Sequence, residues 1–319
     1  MNTSDEYMPV PLSTILVDTI IGCDLYIKNC EGDEIKYVLF CTGINAVGQD
    51  KIDGLQKHNI ENLYIHKSDH KVYLKYLEPS LKKIIKKNII SNTEQVQVAY
   101  NIAKNIMEDI FNNPRSGVYV ERVKDWVSNT IDIIIREKSA SAIIKMLSYD
   151  YYTYTHSVNV SVLGLLFSRY LNMKCEDMNA LGVGLLLHDI GKTQVSSQII
   201  NKKGKLTDEE FGEMKTHVVS GAEILFHVGG IEDVAFFPVM QHHERMNGKG
   251  YPNGLQGNAI HEYGKIAAII DVYDALTTRR SYSDARNPFA ALKIMRDEMR
   301  GSFDEELFID FILFLNQVK

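Results

Sequence analysis

The chain has 319 residues, of which 45% are hydrophobic and 24% charged, and it carries a net charge of −6. That balance belongs to a folded globular protein and argues against both a disordered chain and a surface that wraps a nucleic-acid polymer. The length exceeds what a single hydrophobic core usually fills, so more than one domain is expected.

In chain order, the opening "MNTSDEYMPV" lacks a basic run followed by an apolar one, so no secretory signal is expected. Residues 1–90 read as a small α/β domain of unassigned role. In it "KYVLFCTG" (36–43) predicts a buried strand ended by glycine, "GQDKIDGLQKHNI" (48–60) an amphipathic helix and "NLYIH" (62–66) another strand. The basic run "LKKIIKKN" (81–88) spaces lysines around two isoleucines, as a solvated helix face does. Residues 91–145 read as a helical connector. There Val98, Ile102, Ile106 and Ile110 recur four apart until "NNPRSG" (112–117), and a second helix over 118–138 places Val120, Val123, Val127, Ile131 and Ile134 on one face. This pair is a candidate homodimer interface.

From 146 to 319 strand signals nearly vanish and apolar residues recur at helical spacing, which predicts an all-helical bundle. The fold expected is thus mainly α, a C-terminal bundle joined by a helical connector to a small α/β domain. One helical segment, 205–230, opens on a capping box of Thr207 with Glu210 and closes on Gly229 and Gly230. The longest apolar stretch, "VSVLGLLF" (160–167), is far short of the roughly 20 residues a membrane span needs. Cys23, Cys30, Cys41 and Cys175 form no C-x-x-C pattern, so reduced thiols in a cytoplasmic setting are expected.

Seven of the ten histidines follow residue 155, several of them where a helix should bury apolar side chains. His156 leads into "SVNVSVLGLLF", and His188 with Asp189 ends "ALGVGLLLHDIGK". His217 shares a helix face with Met214, Gly221 and Ile224, and His242 and His243 are adjacent. Asp271 follows another apolar helical run. A lone histidine in such a place is usually a hydrogen-bonded core residue, but several together cost free energy unless paired, and divalent ions pair with several at once. Adjacent His and Asp on a helix diverge by about 100°. Asp189 can therefore bridge two ions while His188 serves one, with His242 and His243 around the other.

"LLHDIGK" (186–192), "MKTHVVSGAEIL" (214–225), "HHERMNGKGYPNGL" (242–255) and "IAAIIDVYDALTTRRSY" (266–282) together resemble, in order, the signatures of the HD-GYP phosphodiesterases, a branch of the HD superfamily of metal-dependent phosphohydrolases. The resemblance covers residues 150–310 and implies an HD-type bundle. It assigns one metal to His156, His188, Asp189 and Asp271, and a second to Asp189, His217, His242 and His243. Iron or manganese is implied, with zinc left open by the ligand types. The implied activity is hydrolysis of cyclic di-GMP to linear pGpG and onward to GMP through a metal-bridging hydroxide. Asp189 and Lys192 are the implied catalytic residues. Lys192, one helical turn from His188, would face the scissile phosphate, although a solvated helix-end charge explains it equally. Arg280, Tyr251 and Lys192 are the implied substrate contacts, Tyr251 stacking on a base or meeting a diguanylate cyclase partner through its loop. Glu244 and Arg245 read as orienting neighbours.

The sequence departs from that pattern in three places. Tyr152 replaces the glutamate that helps hold a third metal, and Asp150 is out of register for it, so two metals are expected. Asn247 replaces the usual aspartate of the loop. Ser283 replaces a basic residue three after Arg280, and losing one charge-assisted contact costs on the order of 1.5–3 kcal/mol. A weak or inactive cyclic-dinucleotide sensor, or a hydrolase preferring mixed cyclic GMP-AMP, are therefore alternatives.

Overall fold

The computed structural model describes residues 6–31, 34–86, 90–136, 140–144, 147, 153–278 and 285–317. These divide into two compact units, one ending at Asn105 and the other beginning at Ile106.

The first unit holds a four-stranded sheet of β1 (Tyr7–Pro11), β2 (Leu25–Glu31), β3 (Glu34–Cys41) and β4 (Asn62–His66). The strand order is β1-β4-β2-β3, with every neighbouring pair antiparallel. Two of these strands, β3 and β4, are predicted from the sequence, but β3 is not the buried strand expected: it lies at the sheet edge with Ile35, Lys36, Val38 and Leu39 exposed and Cys41 buried. β1 is hidden by Pro9 and Pro11, which an edge strand tolerates because its outer N–H groups need no partner. β2 is hidden by "KNC", whose residues are largely exposed on a solvated face. Helices α1 (Gln49–Lys57), α2 (His70–Leu77) and α3 (Leu81–Lys86) complete the unit. In α3, Leu81, Ile84 and Ile85 are buried while Lys82, Lys83 and Lys86 are exposed, so the basic run is a solvated face as far as it is described.

Helix α4 (Asn92–Asn112) spans the division between the units. The second unit continues with α5 (Tyr119–Arg136), α6 (Ala140–Ile144), α7 (Thr153–Tyr170) and α8 (Cys175–Leu187). A 3-10 turn (Ile190–Gln194) follows, then α9 (Ser197–Ile200), α10 (Asp208–Lys215), α11 (His217–Val228) and α12 (Phe236–Gln241). The last helices are α13 (Glu262–Thr277), α14 (Pro288–Asp297) and α15 (Glu305–Gln317). Long stretches of α7 (155–168), α8 (180–187) and α13 (266–271) are buried on every side, as in helices at the centre of a bundle. α5 packs on α7 and α8, and α15 closes the far side, where Phe167, Tyr273, Phe311 and Phe314 meet edge to face and tilted at 5.2–6.0 Å. All four cysteines are free. Among the described residues no helix is long and apolar enough to cross a membrane.

Two local expectations are corrected. The capping box of Thr207 and Glu210 is present and Gly229 ends the segment, but 205–230 is two helices broken at Thr216. There the Met214 carbonyl accepts from the His217 ring at 2.6 Å, a side-chain competitor to the helical ladder. Lys192 lies in the 3-10 turn after α8, not on an α-helical turn from His188.

Candidate metal centre

The central helices carry the seven expected ligands to one place. His156 sits on α7, His188 and Asp189 where α8 ends, and His217 at the start of α11. His242 and His243 follow α12, and Asp271 is in the middle of α13. All are buried except His243, which is half-buried. Their ligand atoms form three overlapping groups, each within 4.8 Å: His156, His188 and Asp271; His188, Asp189 and His242; His217, His242 and His243.

The close approach depends on Gly191. A Cβ there would lie 1.9 Å from the His217 carbonyl oxygen and 2.5 Å from Gly221 N. Only a residue without a side chain lets the turn after Asp189 press against the first turn of α11. Asp189 Oδ1 thereby comes to 3.5 Å from His217 Nε2 and 3.9 Å from His242 Nε2. Its other oxygen, Oδ2, lies 3.5 Å from His188 Nε2 and 3.7 Å from His156 Nε2. Each carboxylate oxygen faces its own pair of imidazoles.

Backbone carbonyls fix the tautomers. His188 Nδ1 donates to Leu185 O at 2.7 Å, His217 Nδ1 to Met214 O, and His242 Nδ1 to Pro238 O at 2.8 Å. A carbonyl can only accept, so the proton of each neutral ring is on Nδ1 and Nε2 carries a lone pair. His217 Nε2 and His242 Nε2 then face each other at 3.3 Å, lone pair against lone pair. His188 Nε2 and Asp189 Oδ1 are buried with no hydrogen-bond partner. Inward-aimed acceptors without donors are costly in a dry core, and a cation satisfies them. The donor set therefore fits divalent metal.

Protonation points the same way. Burial pushes the His188, His217 and His243 imidazoles below the usual histidine range, and pushes His242 down to about 3 with help from His188 and His217. Burial alone would raise Asp189, but Lys192, His188 and His217 outweigh it and hold the carboxyl well below its usual value. Asp271 is likewise held low against its burial, by the His156 ring 3.0 Å away and by His243. Neutral imidazoles and ionised carboxylates are the forms that bind metal. Lys192 donates to Asp189 Oδ2, its side chain 15% exposed.

Sequence reasoning left out Asp274 and Asn159. The Asp274 carboxylate accepts from His156 Nδ1 at 2.6 Å and from Asn159 Nδ2 at 3.0 Å. The signal was present in "DVYD", whose two aspartates stand three apart on one face of α13.

The loop after His243 folds back on its own start. Glu244, buried, accepts from the N–H groups of Asn253 and Leu255 at 2.8 and 2.9 Å. At Gly250 a Cβ would fall 2.4 Å from Arg245 N, a backbone crossing that no side chain permits. Arg245 donates to the carbonyls of His242 and Glu244, so both residues act on neighbouring chain as expected. Asn247 accepts from Lys249 N at 3.1 Å, a turn bond that aspartate would make equally. These ties set the Tyr251 ring 4.6 Å from that of His243, and burial raises the phenol's pKa. Arg280, Ser283, Tyr152 and Asp150 lie outside the described residues.

The cyclic di-GMP phosphodiesterase PA4108 of Pseudomonas aeruginosa is 34% identical over 213 residues, 66% of this chain and 51% of that protein. The 3′3′-cGAMP-specific phosphodiesterase 3 of Vibrio cholerae is 31% identical over 214 residues, 64% of this chain and 46% of that one. The chain thus spans about half the length of these curated relatives. Among solved structures, Bd1817, a HDG"Y"P protein from Bdellovibrio bacteriovorus, shares the fold with a TM-score of 0.66 at 18% identity, covering 98% of this chain and 100% of that one. The model of the HD domain matches residues 138–307, more than half of the chain and all of the histidine and aspartate cluster, so this protein belongs to the HD domain family.

Proposed function

We propose that this chain is a metal-dependent phosphodiesterase that opens cyclic di-GMP to linear pGpG and carries it on to GMP. The observation that carries this is the division of Asp189, whose two oxygens face separate histidine pairs. Two divalent ions, iron or manganese, fit that division. His156, His188, Asp189 and Asp271 would hold the first, and Asp189, His217, His242 and His243 the second. Divalent ions bound there supply a water activated near neutral pH and positive charge against a phosphodiester.

The chain's own residues set the conditions for that chemistry. The carbonyl-bound Nδ1 atoms of His188, His217 and His242 keep each ring turned with Nε2 inward. Lys192 brings a further positive charge beside Asp189, where phosphate charge must be met. Tyr251 covers His243 and restricts water on that side. Arg280 is carried as a substrate contact on its sequence position. A second substrate, 3′3′-cGAMP, is favoured by the name of the Vibrio cholerae relative.

The test pairs elemental analysis of anaerobically purified protein with turnover of both cyclic dinucleotides, using Asp189→Ala as control. Near two equivalents of metal and a linear product are expected, both lost in the variant. Metallated protein that releases no linear product from either compound would sink the proposal, and tight binding without turnover would mark a sensor.

A further inference from the structure

A second group of side chains adjoins the candidate centre on its solvent side. Phe211 and Lys215 stand one turn apart on α10, and both meet Tyr251. The Phe211 ring is edge-on to Tyr251 at 6.2 Å, and Lys215 Nζ lies 4.9 Å from the Phe211 centroid and 5.9 Å from that of Tyr251. Tyr251 in turn leans on His243, so the group is continuous with the histidine cluster. Phe211 is 46% exposed, a large ring left open to solvent on a helix that buries none of its residues. Lys215 is half-buried, and among the described residues no carboxylate lies within 4.0 Å of its ammonium. In a chain with net charge −6, an unneutralised lysine over two ring faces is notable.

Ammonium beside an open aromatic face matches a ligand that carries an anion and a flat π-system together, which is the chemistry of a nucleotide. We propose that Phe211, Lys215 and Tyr251 form a nucleotide subsite, in which Phe211 stacks on one purine base and Lys215 pairs with the phosphate that is not being cleaved. Tyr251 is the wall between this subsite and the metal centre. The assignment rests on the phosphodiesterase reading above and adds to it a place for the second half of the substrate. The rival role is mechanical, with Phe211 and Lys215 simply clamping the loop to α10.

The two roles separate in steady-state kinetics of the manganese-loaded full chain on cyclic di-GMP. As a subsite, Phe211→Ala and Lys215→Ala each raise KM about tenfold with kcat nearly unchanged. Lys215→Arg keeps KM near wild type because the cation is retained. A fall in kcat at unchanged KM, or wild-type kinetics in both alanine variants, overturns the subsite. If the wild type turns over neither cyclic dinucleotide, the hydrolase reading has failed, and titration with GMP decides the subsite alone. It stands if Phe211→Ala weakens GMP binding at least fivefold, and falls if the affinity is unchanged.

Discussion

His156 and Asp274 are joined by a 2.6 Å hydrogen bond from Nδ1 to Oδ2, 118 residues apart in sequence and both buried. The bond turns Nε2 of His156 toward Asp271, 3.0 Å away, and toward Asp189. Carboxylates behind a ligating imidazole fix its tautomer and raise its basicity. Asp274→Asn keeps the shape and removes the charge. Metal affinity, read by competition with a chromophoric chelator, should fall about 10–100-fold, with the far-UV spectrum unchanged. Unaltered affinity would remove Asp274 from the centre.

Acid should destabilise the metal-free protein. Folded His188, His217 and His242 have lowered pKa values, His242 to about 3, while the unfolded chain takes these protons near 6.5. The unfolded state therefore binds more protons in the window from about 6.5 down to about 3, and stability falls as pH falls through it. The slope is about 1.4 kcal/mol per pH unit for each histidine within its own window. Asp189 and Asp271, also lowered, add losses of the same sign below the usual carboxylate range. Urea unfolding in excess chelator should give a clearly lower midpoint at pH 5 than at pH 7.5. An equal or higher midpoint at pH 5 would contradict the neutral, buried imidazoles.

Gly191→Ala places a methyl group against the His217 carbonyl and Gly221 N. Overpacking of this kind costs about 1–3 kcal/mol. Because the strain falls on the first turn of α11, metal bound through His217 should weaken more than the thermal midpoint alone implies. Calorimetry and metal titration on the same sample check this. A variant with wild-type midpoint and affinity would show that the backbones need not approach so closely.

Glu244→Gln weakens the hold on the N–H groups of Asn253 and Leu255, which now donate to a charged acceptor. About 1.5 kcal/mol or more of local stability should be lost. Hydrogen exchange at those two amides should quicken while metal content stays at the wild-type level. Slow exchange in the variant would mean the loop is held by other contacts.

Much of this was legible in the sequence because it depended on local pattern. The apolar runs ending in His188–Asp189 and surrounding Asp271 marked helices that bury apolar side chains, and a histidine there is conspicuous because burying it unpaired is costly. β4 was equally plain, whereas the apolar run of β3 reads as a buried strand and is exposed at the sheet edge. β1 was not plain, since its prolines are tolerated only through its place at the sheet edge. The break at Thr216 was also hidden, because it goes with a bond from the His217 side chain back to the last turn of the preceding helix.

The sequence by itself determined which residues had to be buried together, as helical periodicity and the cost of buried imidazoles are properties of short segments. Only the tertiary structure decided how they face one another. Asp189 with His217, Phe211 with Tyr251, and His156 with Asp274 are brought together across 28, 40 and 118 residues of sequence. Such contacts arise from packing between helices, to which no local pattern in the chain corresponds.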